Sequence, residues 1–546
     1  MRLVDRRIGL LFALFFLLLV LAAGRAVWLG GVKASELRAR ALDQQVDDLE
    51  VPARRGTITD RNGVELAVSE DAVTVFANPF LIDDPVGTAR KLSPLLDMPV
   101  EELTPLLSDS KKGFVYLGRE LDPSAGEAVE ELAIEGVDTV AEPRRTYPQG
   151  PLAAQLLGAV GTDNYGLAGL EQLREDALDG RDGRRRIVKD ATGDPVSIVD
   201  VARAEPGEDM RLTIDAAIQS RVEEVLAQVG EKHTPAGATA VVMDPRTGEV
   251  LALANWPAVD ANEFTSGSAA ARQNRAVAGS FEPGSTFKPF TVAGAMEEGL
   301  VKRSTKFTLP PSIQVADRTI EESHARGTLT LSVADILAQS SNVGAVTIGL
   351  ELGPERFDRW IRRFGFGSGT DIDVPGEAAG IVPRPDEYSG SSMGNLPLGQ
   401  GLAATPIQMA AGYGALANGG VLHEPSVIAG PPTPGERVMS EDTAHRVSRM
   451  LEGVLGPGGT AQEASVEGYR LAGKTGTAEK PDGQGGYSST DYFASFIGYA
   501  PARDPRLLVA VMVDEPRGAI YGGEVAAPAF EKIVSFALPY LRIPPE

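Results

Sequence analysis

Residues 8–23 read IGLLFALFFLLLVLAA, sixteen positions without a charge. Extended to Leu29 the run has 22 residues broken only by Arg25, about 33 Å of helix at ~1.5 Å per residue, enough to cross a bilayer. A stretch this long and apolar commits the chain to a membrane. Arg25 can snorkel and Trp28 suits the interface. Arg2, Arg6 and Arg7 precede the run, which places the N-terminus in the cytoplasm and exports the remainder. A cleaved signal peptide is the competing reading, given the small residues Ala22-Ala23-Gly24. The length of the apolar core and the lack of a strong A-x-A site favour an uncleaved anchor. No second long apolar run occurs, so the sequence describes a single-pass membrane protein with a large extracytoplasmic part.

The other 500-odd residues are long enough for roughly two to four domains. A formal charge of −23 argues against a nucleic-acid surface. With no Cys in the chain there are no disulfides, thiolate metal sites or cysteine nucleophiles. The four His (His233, His324, His423, His445) have no metal-motif spacing, so no histidine metal site is expected.

Residues 33–49 have a polar helical pattern suited to a stalk. Arg54 to Ser69 reads as strand, turn, strand around Asp60-Arg61-Asn62-Gly63. Residues 88–135 look helical with turn breaks, the basic run Arg184-Arg185-Arg186 looks like a solvated strand edge, and 200–210 resembles a linker. Beyond Arg211 a strand and helix lead into a hairpin around Asp244-Pro245-Arg246-Thr247-Gly248, and the chain ends in three strands and a helix. Hairpins at both ends of one region, each beside a helix, predict an antiparallel sheet covered by helices.

Without Cys or paired His, a covalent enzyme needs Ser, Thr, Asp or Lys as nucleophile. A Lys three residues beyond a Ser on a helix lies on the same face and can serve as its base. Thirty Ser and twelve Lys give fewer than one chance S-x-x-K, and two occur. Ser108-Asp109-Ser110-Lys111 lies in a charged loop and is a coincidence. Ser285-Thr286-Phe287-Lys288 follows the chain-breaking Pro283-Gly284 at the start of an apolar helix, where Pro289 is tolerated. Burial and a nearby cation would keep Lys288 neutral part of the time. Lys474-Thr475-Gly476-Thr477, on a strand-like stretch, supplies that cation. Its Gly476 would let a substrate backbone lie close, and its two Thr hydroxyls could hold a carboxylate. Ser340-Ser341-Asn342 adds a hydroxyl and an amide at the junction of two helical runs, where Ser340 could also simply cap a helix.

S-x-x-K, a Ser/Asn motif and K-T-G in this order mark penicillin-binding proteins and β-lactamases. The chain resembles a class B penicillin-binding protein along nearly its whole length. The resemblance includes Arg55-Gly56-Thr57-Ile58, Asp60-Arg61-Asn62-Gly63, Arg145-x-Tyr147-Pro148, residues 166–171 (GLAGLE), Gly399-Gln400-Gly401 and Thr405-Pro406. Its ending looks most like division-specific members.

The resemblance implies an α+β / α/β chain divided into a cytoplasmic tail (1–7), an anchor (8–29), a stalk and elongated mixed pedestal of dimerisation type (30–205) and a serine β-lactamase-like transpeptidase domain (206–546). No glycosyltransferase-like region precedes the pedestal. The implied activity is D,D-transpeptidation of peptidoglycan stem pentapeptides during septal wall synthesis, and it calls for no metal or organic cofactor. Ser285 would attack the D-Ala-D-Ala carbonyl and Lys288 would accept its proton. Ser340 and Lys474 would relay a proton to the leaving D-Ala, and Asn342 would hold the substrate amide. Thr475 and Thr477 would hold the carboxylate beside Gly476. The backbone N–H groups of Ser285 and Thr477 would form the oxyanion hole. An acceptor stem amine then resolves the acyl-enzyme, whereas β-lactams acylate Ser285 and stay. Implied partners are a multispanning glycan polymerase and divisome proteins at the cell membrane. Open alternatives are an elongation-specific transpeptidase, a carboxypeptidase or β-lactamase-like hydrolase, and a scaffold or β-lactam sensor. His324 reads as a surface histidine, Glu377 as a loop-stabilising carboxylate and Glu171 as a fold anchor.

Overall fold

The structure, a computed structural model, describes residues 2–33, 46–109, 111–189, 195–483 and 486–546. The apolar run forms the helix Arg2–Val27 and continues in a short π-helical turn, Trp28–Val32. Residues 6–32 make one exposed apolar span, whose surface calls for lipid.

The chain forms two compact units interleaved in sequence. The smaller comprises Met1–Arg55, Asp71–Pro143 and Asp179–Gly207. Its core gathers Val75, Leu92, Leu103, Leu107, Leu117 and Val129 from three helices and two strands. One of the strands, Val115–Leu121, lies where the sequence suggests only helices and turns. Its alternation of buried Val115 and Leu117 with exposed Tyr116 is a half-buried strand pattern too short to stand out between helices. Val46–Val51 is likewise a strand rather than the end of a helical stalk, and residues 34–45 of that stalk lie outside the described residues. Ser110, of the coincidental S-x-x-K, also lies outside them. The Arg184–186 run is not at a sheet edge. Gly183–Lys189 is the middle strand of three, antiparallel to Val46–Val51 and Pro195–Ala202. The three arginines are exposed, and Arg185 Nε donates to Asp200 at 2.8 Å. Asp200–Ala202 thus belongs to a strand, not to a linker.

The larger unit comprises Gly56–Glu70, Arg144–Leu178 and Glu208–Glu546. Its five-stranded sheet is antiparallel throughout, as the hairpins predict. We label β1 Gly237–Met243, β2 Val250–Trp256, β3 Ala472–Pro481, β4 Tyr487–Ala500 and β5 Leu507–Asp514, in spatial order β2-β1-β5-β4-β3. Every residue of β1 and residues 507–513 of β5 are buried, so helices cover both faces. Those that matter for the site are α1 Ala216–His233, α2 Lys288–Glu297, α3 Val333–Ala338, α4 Asn342–Leu352, α5 Pro406–Ala417 and α6 Ala527–Tyr540. Strand β3 lies at the sheet edge, with one side unpaired among the described residues.

Apart from Arg55, the signature residues near the N-terminal end lie in the same unit. Arg145 Nε donates to Glu171 at 2.7 Å, and Arg145 Nη1 donates to Gly56 O at 2.9 Å. A Cβ on Gly56 would fall 1.9 Å from Glu208 O, so only glycine fits. Both members of the ion pair are buried. Glu171→Ala strands the Arg145 charge and should lower stability by roughly 3–5 kcal/mol. Asp442→Ala, which breaks the exposed pair with Arg446, should cost less than about 1 kcal/mol. Urea unfolding of the two variants checks the contrast.

Candidate active site

Ser285 sits in a 3₁₀ turn, Gly284–Phe287, that runs directly into α2. Side chains at i and i+3 eclipse in 3₁₀ geometry, which puts Ser285 and Lys288 on one side. Gly284 and Gly399 have φ of +53° and +80°, values that favour glycine. They lie back to back: Gly284 N donates to Gly399 O at 3.0 Å, and a Cβ on Gly399 would come within 2.4 Å of Gly284 O. Tyr413 of α5 donates its hydroxyl to Thr286 O at 2.7 Å, and Thr286 Oγ1 donates to Pro283 O at 2.7 Å. Beneath the turn Phe287 and Phe290 are packed among Phe357, Phe364, Phe366 and Tyr413. The turn therefore rests on a rigid aromatic floor.

Lys288 is 0% exposed. Its Nζ donates to Ser340 O at 2.6 Å and to Asn342 Oδ1 at 2.8 Å, and lies 3.3 Å from Ser340 Oγ. Burial pushes its ammonium down to about 7, against the upward pull of Glu322. Ser340 links α3 to α4 in the left-handed region, at φ +60°, an uncommon place for a non-glycine residue. This conformation lets both its carbonyl and its hydroxyl face Lys288. The capping role falls to the neighbour: Ser341 Oγ accepts from Gly344 N at 3.0 Å.

Lys474, also 0% exposed, lies on β3 and donates to Thr475 O at 3.0 Å. Burial, and then the charge of Lys288, hold its ammonium well below the usual lysine range. Thr475 and Thr460 share a hydroxyl hydrogen bond of 2.5 Å, and Thr477 Oγ1 accepts from Gly522 N at 3.1 Å.

Lys288, Ser340 and Asn342 are thus directly bonded, and Lys474 joins them through the field of its charge. The Ser285 hydroxyl has no hydrogen-bond partner among the described residues, and Lys474 is bonded to Thr475 rather than to Ser340. Gly476 has a packing reason of its own. A Cβ there would lie 2.3 Å from Ser495 Oγ and 3.0 Å from Pro283 O, so glycine lets the Ser285 turn pack on β3. Glu377 accepts from Thr370 N and Oγ1 at 2.7 and 2.6 Å, a loop contact. His324 is exposed and lies against Tyr521, ring centroids 5.6 Å apart. Glu321 and Glu322 went unread in the sequence because two acids in a polar loop have no pattern. Glu321 O accepts from Asn342 Nδ2 at 2.9 Å, and Glu322 accepts from Asn342 N at 2.8 Å.

Comparison with known proteins finds two families along the chain. The Penicillin binding protein transpeptidase domain family matches residues 238–535, and the Penicillin-binding Protein dimerisation domain family matches residues 50–212. The chain is 35% identical to the probable peptidoglycan D,D-transpeptidase PenA of Neisseria meningitidis over 96% of this chain and 92% of that protein. It is 32% identical to the peptidoglycan D,D-transpeptidase FtsI of Escherichia coli K12, over 100% and 93%. The crystal structure of penicillin binding protein 3 from Mycobacterium tuberculosis, complexed with aztreonam, matches with a TM-score of 0.72 at 30% identity, covering 91% of this chain and 98% of that one.

Gly476→Ala should destabilise the protein by about 1–3 kcal/mol through overpacking. Ser495→Ala in the same chain should recover part of that loss by removing the nearest clash. Melting temperatures of the two single variants and the double variant measure the coupling.

Proposed function

The chain is a class B penicillin-binding protein and a peptidoglycan D,D-transpeptidase, and from that premise we propose how its own residues divide the reaction. Ser285 is the nucleophile and Lys288 the base. The supporting observation is the buried amine of Lys288 with two acceptors in place. A neutral amine has two N–H bonds and one lone pair. Ser340 O and Asn342 Oδ1, the two shorter contacts, take the two hydrogens, and the lone pair is left for a hydroxyl, with Ser340 Oγ 3.3 Å away. As Ser285 Oγ attacks the carbonyl between the two D-Ala residues, its proton passes to Lys288 Nζ. The tetrahedral oxyanion lies against the backbone N–H groups of Ser285 and Thr477. Ser285 N is in the first turn of its helix, where N–H groups have no intrahelical acceptor, and Thr477 is on the edge strand.

Collapse expels D-Ala, whose amine takes a proton relayed through Ser340 and Lys474. Thr475 and Thr477 hold the terminal carboxylate beside Gly476, and Asn342 orients the stem amide through its remaining N–H. The acceptor stem amine then attacks the ester carbonyl, forms the cross-link and returns Ser285. A β-lactam opens on the same hydroxyl, but its leaving amine stays tethered and the ester persists.

The apolar helix with Arg2, Arg6 and Arg7 before it supports a cytoplasmic N-terminus and an extracytoplasmic catalytic unit. Septal wall synthesis is the cellular role we assign, in company with a multispanning glycan polymerase and divisome proteins. The likeness to FtsI supports it.

A fluorescent penicillin should label the full-length protein at Ser285, located by peptide mass, with no adduct on Ser285→Ala. The labelling rate should rise with pH through about 7, as Lys288 loses its proton, and level off above. An adduct elsewhere, or a rate flat from pH 5 to 9, contradicts the assignment. In depleted cells Ser285→Ala should leave filaments undivided, whereas rounding without filaments would point to elongation.

A further inference from the structure

Beside the base and the Ser/Asn pair lies an acid to which the reaction assigns no role, Glu322, its side chain 7% exposed. Glu322 lies in an irregular loop before α3, far in sequence from Ser285. Its carboxylate accepts from Ser341 Oγ at 2.6 Å, Asn342 N at 2.8 Å and Val343 N at 3.3 Å, at the N-terminus of α4. Glu321 O, from the preceding residue, accepts from Asn342 Nδ2 at 2.9 Å. The loop therefore grips Asn342 by both backbone and side chain. Arg326 ties the loop down: it pairs with Glu322 at 2.5 Å and donates to Leu309 O at 3.0 Å and Gly327 O at 2.9 Å.

The consequence reaches Lys288. An amide fixed through Nδ2 has only one way to turn Oδ1, and here Oδ1 accepts from Lys288. A negative charge at a helix N-terminus is favourable in itself, so a capping role alone would account for the contacts with α4. It would not account for the field at Lys288, where Glu322 is the opposing charge.

We propose that Glu322 is a positioning residue of the transpeptidase reaction, which aims Asn342 at Lys288 and sets the charge balance around the base. It touches no substrate. The carboxylate is kept ionised: burial opposes this, and the hydrogen bonds from Ser341, Asn342 and Arg326 outweigh it. The charged groups facing Lys288 are then Glu322, backed by Arg326, and Lys474. Removing the negative charge while keeping an acceptor lets Lys288 deprotonate at lower pH. Removing the acceptor as well releases Asn342.

This inference rests on the assignment of Lys288 as base, and its test separates the two. Acylation of the full-length protein by a fluorescent penicillin is followed from pH 5 to 9 for wild type, Glu322→Gln and Glu322→Ala, with the melting temperature of each. In Glu322→Gln the acid limb should move down by about 0.5–1 pH unit. In Glu322→Ala the plateau rate should also fall by about ten-fold or more, as expected for a reacting group left misplaced. A wild-type limb and plateau in both variants overturns the proposal, as does a rate loss that merely follows the melting temperature with no shift of the limb. A wild-type protein with no limb at all contradicts the role of Lys288 instead.

Discussion

The burial of Lys288 is the constraint around which the larger unit is organised. An ammonium with no exposed surface is held far below its usual range, at about 7. A displacement of that size represents on the order of 5 kcal/mol of differential interaction between the charged and neutral forms. This is comparable with the whole stability of many domains, so no single local contact could hold the side chain there. What holds it is the packed body: the 3₁₀ turn on its aromatic floor, β3 against that turn and the α3–α4 junction above. The second buried lysine feels the first: burial, and then the charge of Lys288, hold Lys474 well below the usual lysine range.

The glycines follow from the same need for close approach. Gly284 and Gly399 interlock by their backbones, and Gly476 leaves room for Pro283 and Ser495. Each lies at a contact between the Ser285 turn and its supports. Ser340, the non-glycine residue in the left-handed region, sits on the opposite wall. Strain there is compensated by the contacts its carbonyl and hydroxyl make with Lys288.

Much of this was legible in the sequence, for specific reasons. The apolar run announced the membrane helix by length alone. The antiparallel sheet was readable from hairpins at both ends of one region, and Ser285 with Lys288 from an i, i+3 spacing behind a Pro-Gly break. Other features were not readable. The strand Val115–Leu121 is short and flanked by helices, and the central place of Gly183–Lys189 depends on Val46–Val51, a strand far earlier in the chain. Glu322 reaches Asn342 only after the loop folds over α4, so no local pattern reports it. Gly476 was visible as a motif, but its packing against Ser495 was not, because pairing across β3 and β4 brings that neighbour beside it.

The central claim, an uncharged lysine amine beside Ser285 near neutral pH, is open to direct measurement. With twelve lysines in the chain, ¹³C-methylene signals of isotopically labelled lysine can be followed by NMR as pH is varied, and that of Lys288 identified with Lys288→Arg. The account predicts one signal, lost in that variant, that titrates near pH 7. If the signal lost with Lys288 instead titrates several units higher, in the ordinary lysine range, the amine is a cation at working pH and the account fails.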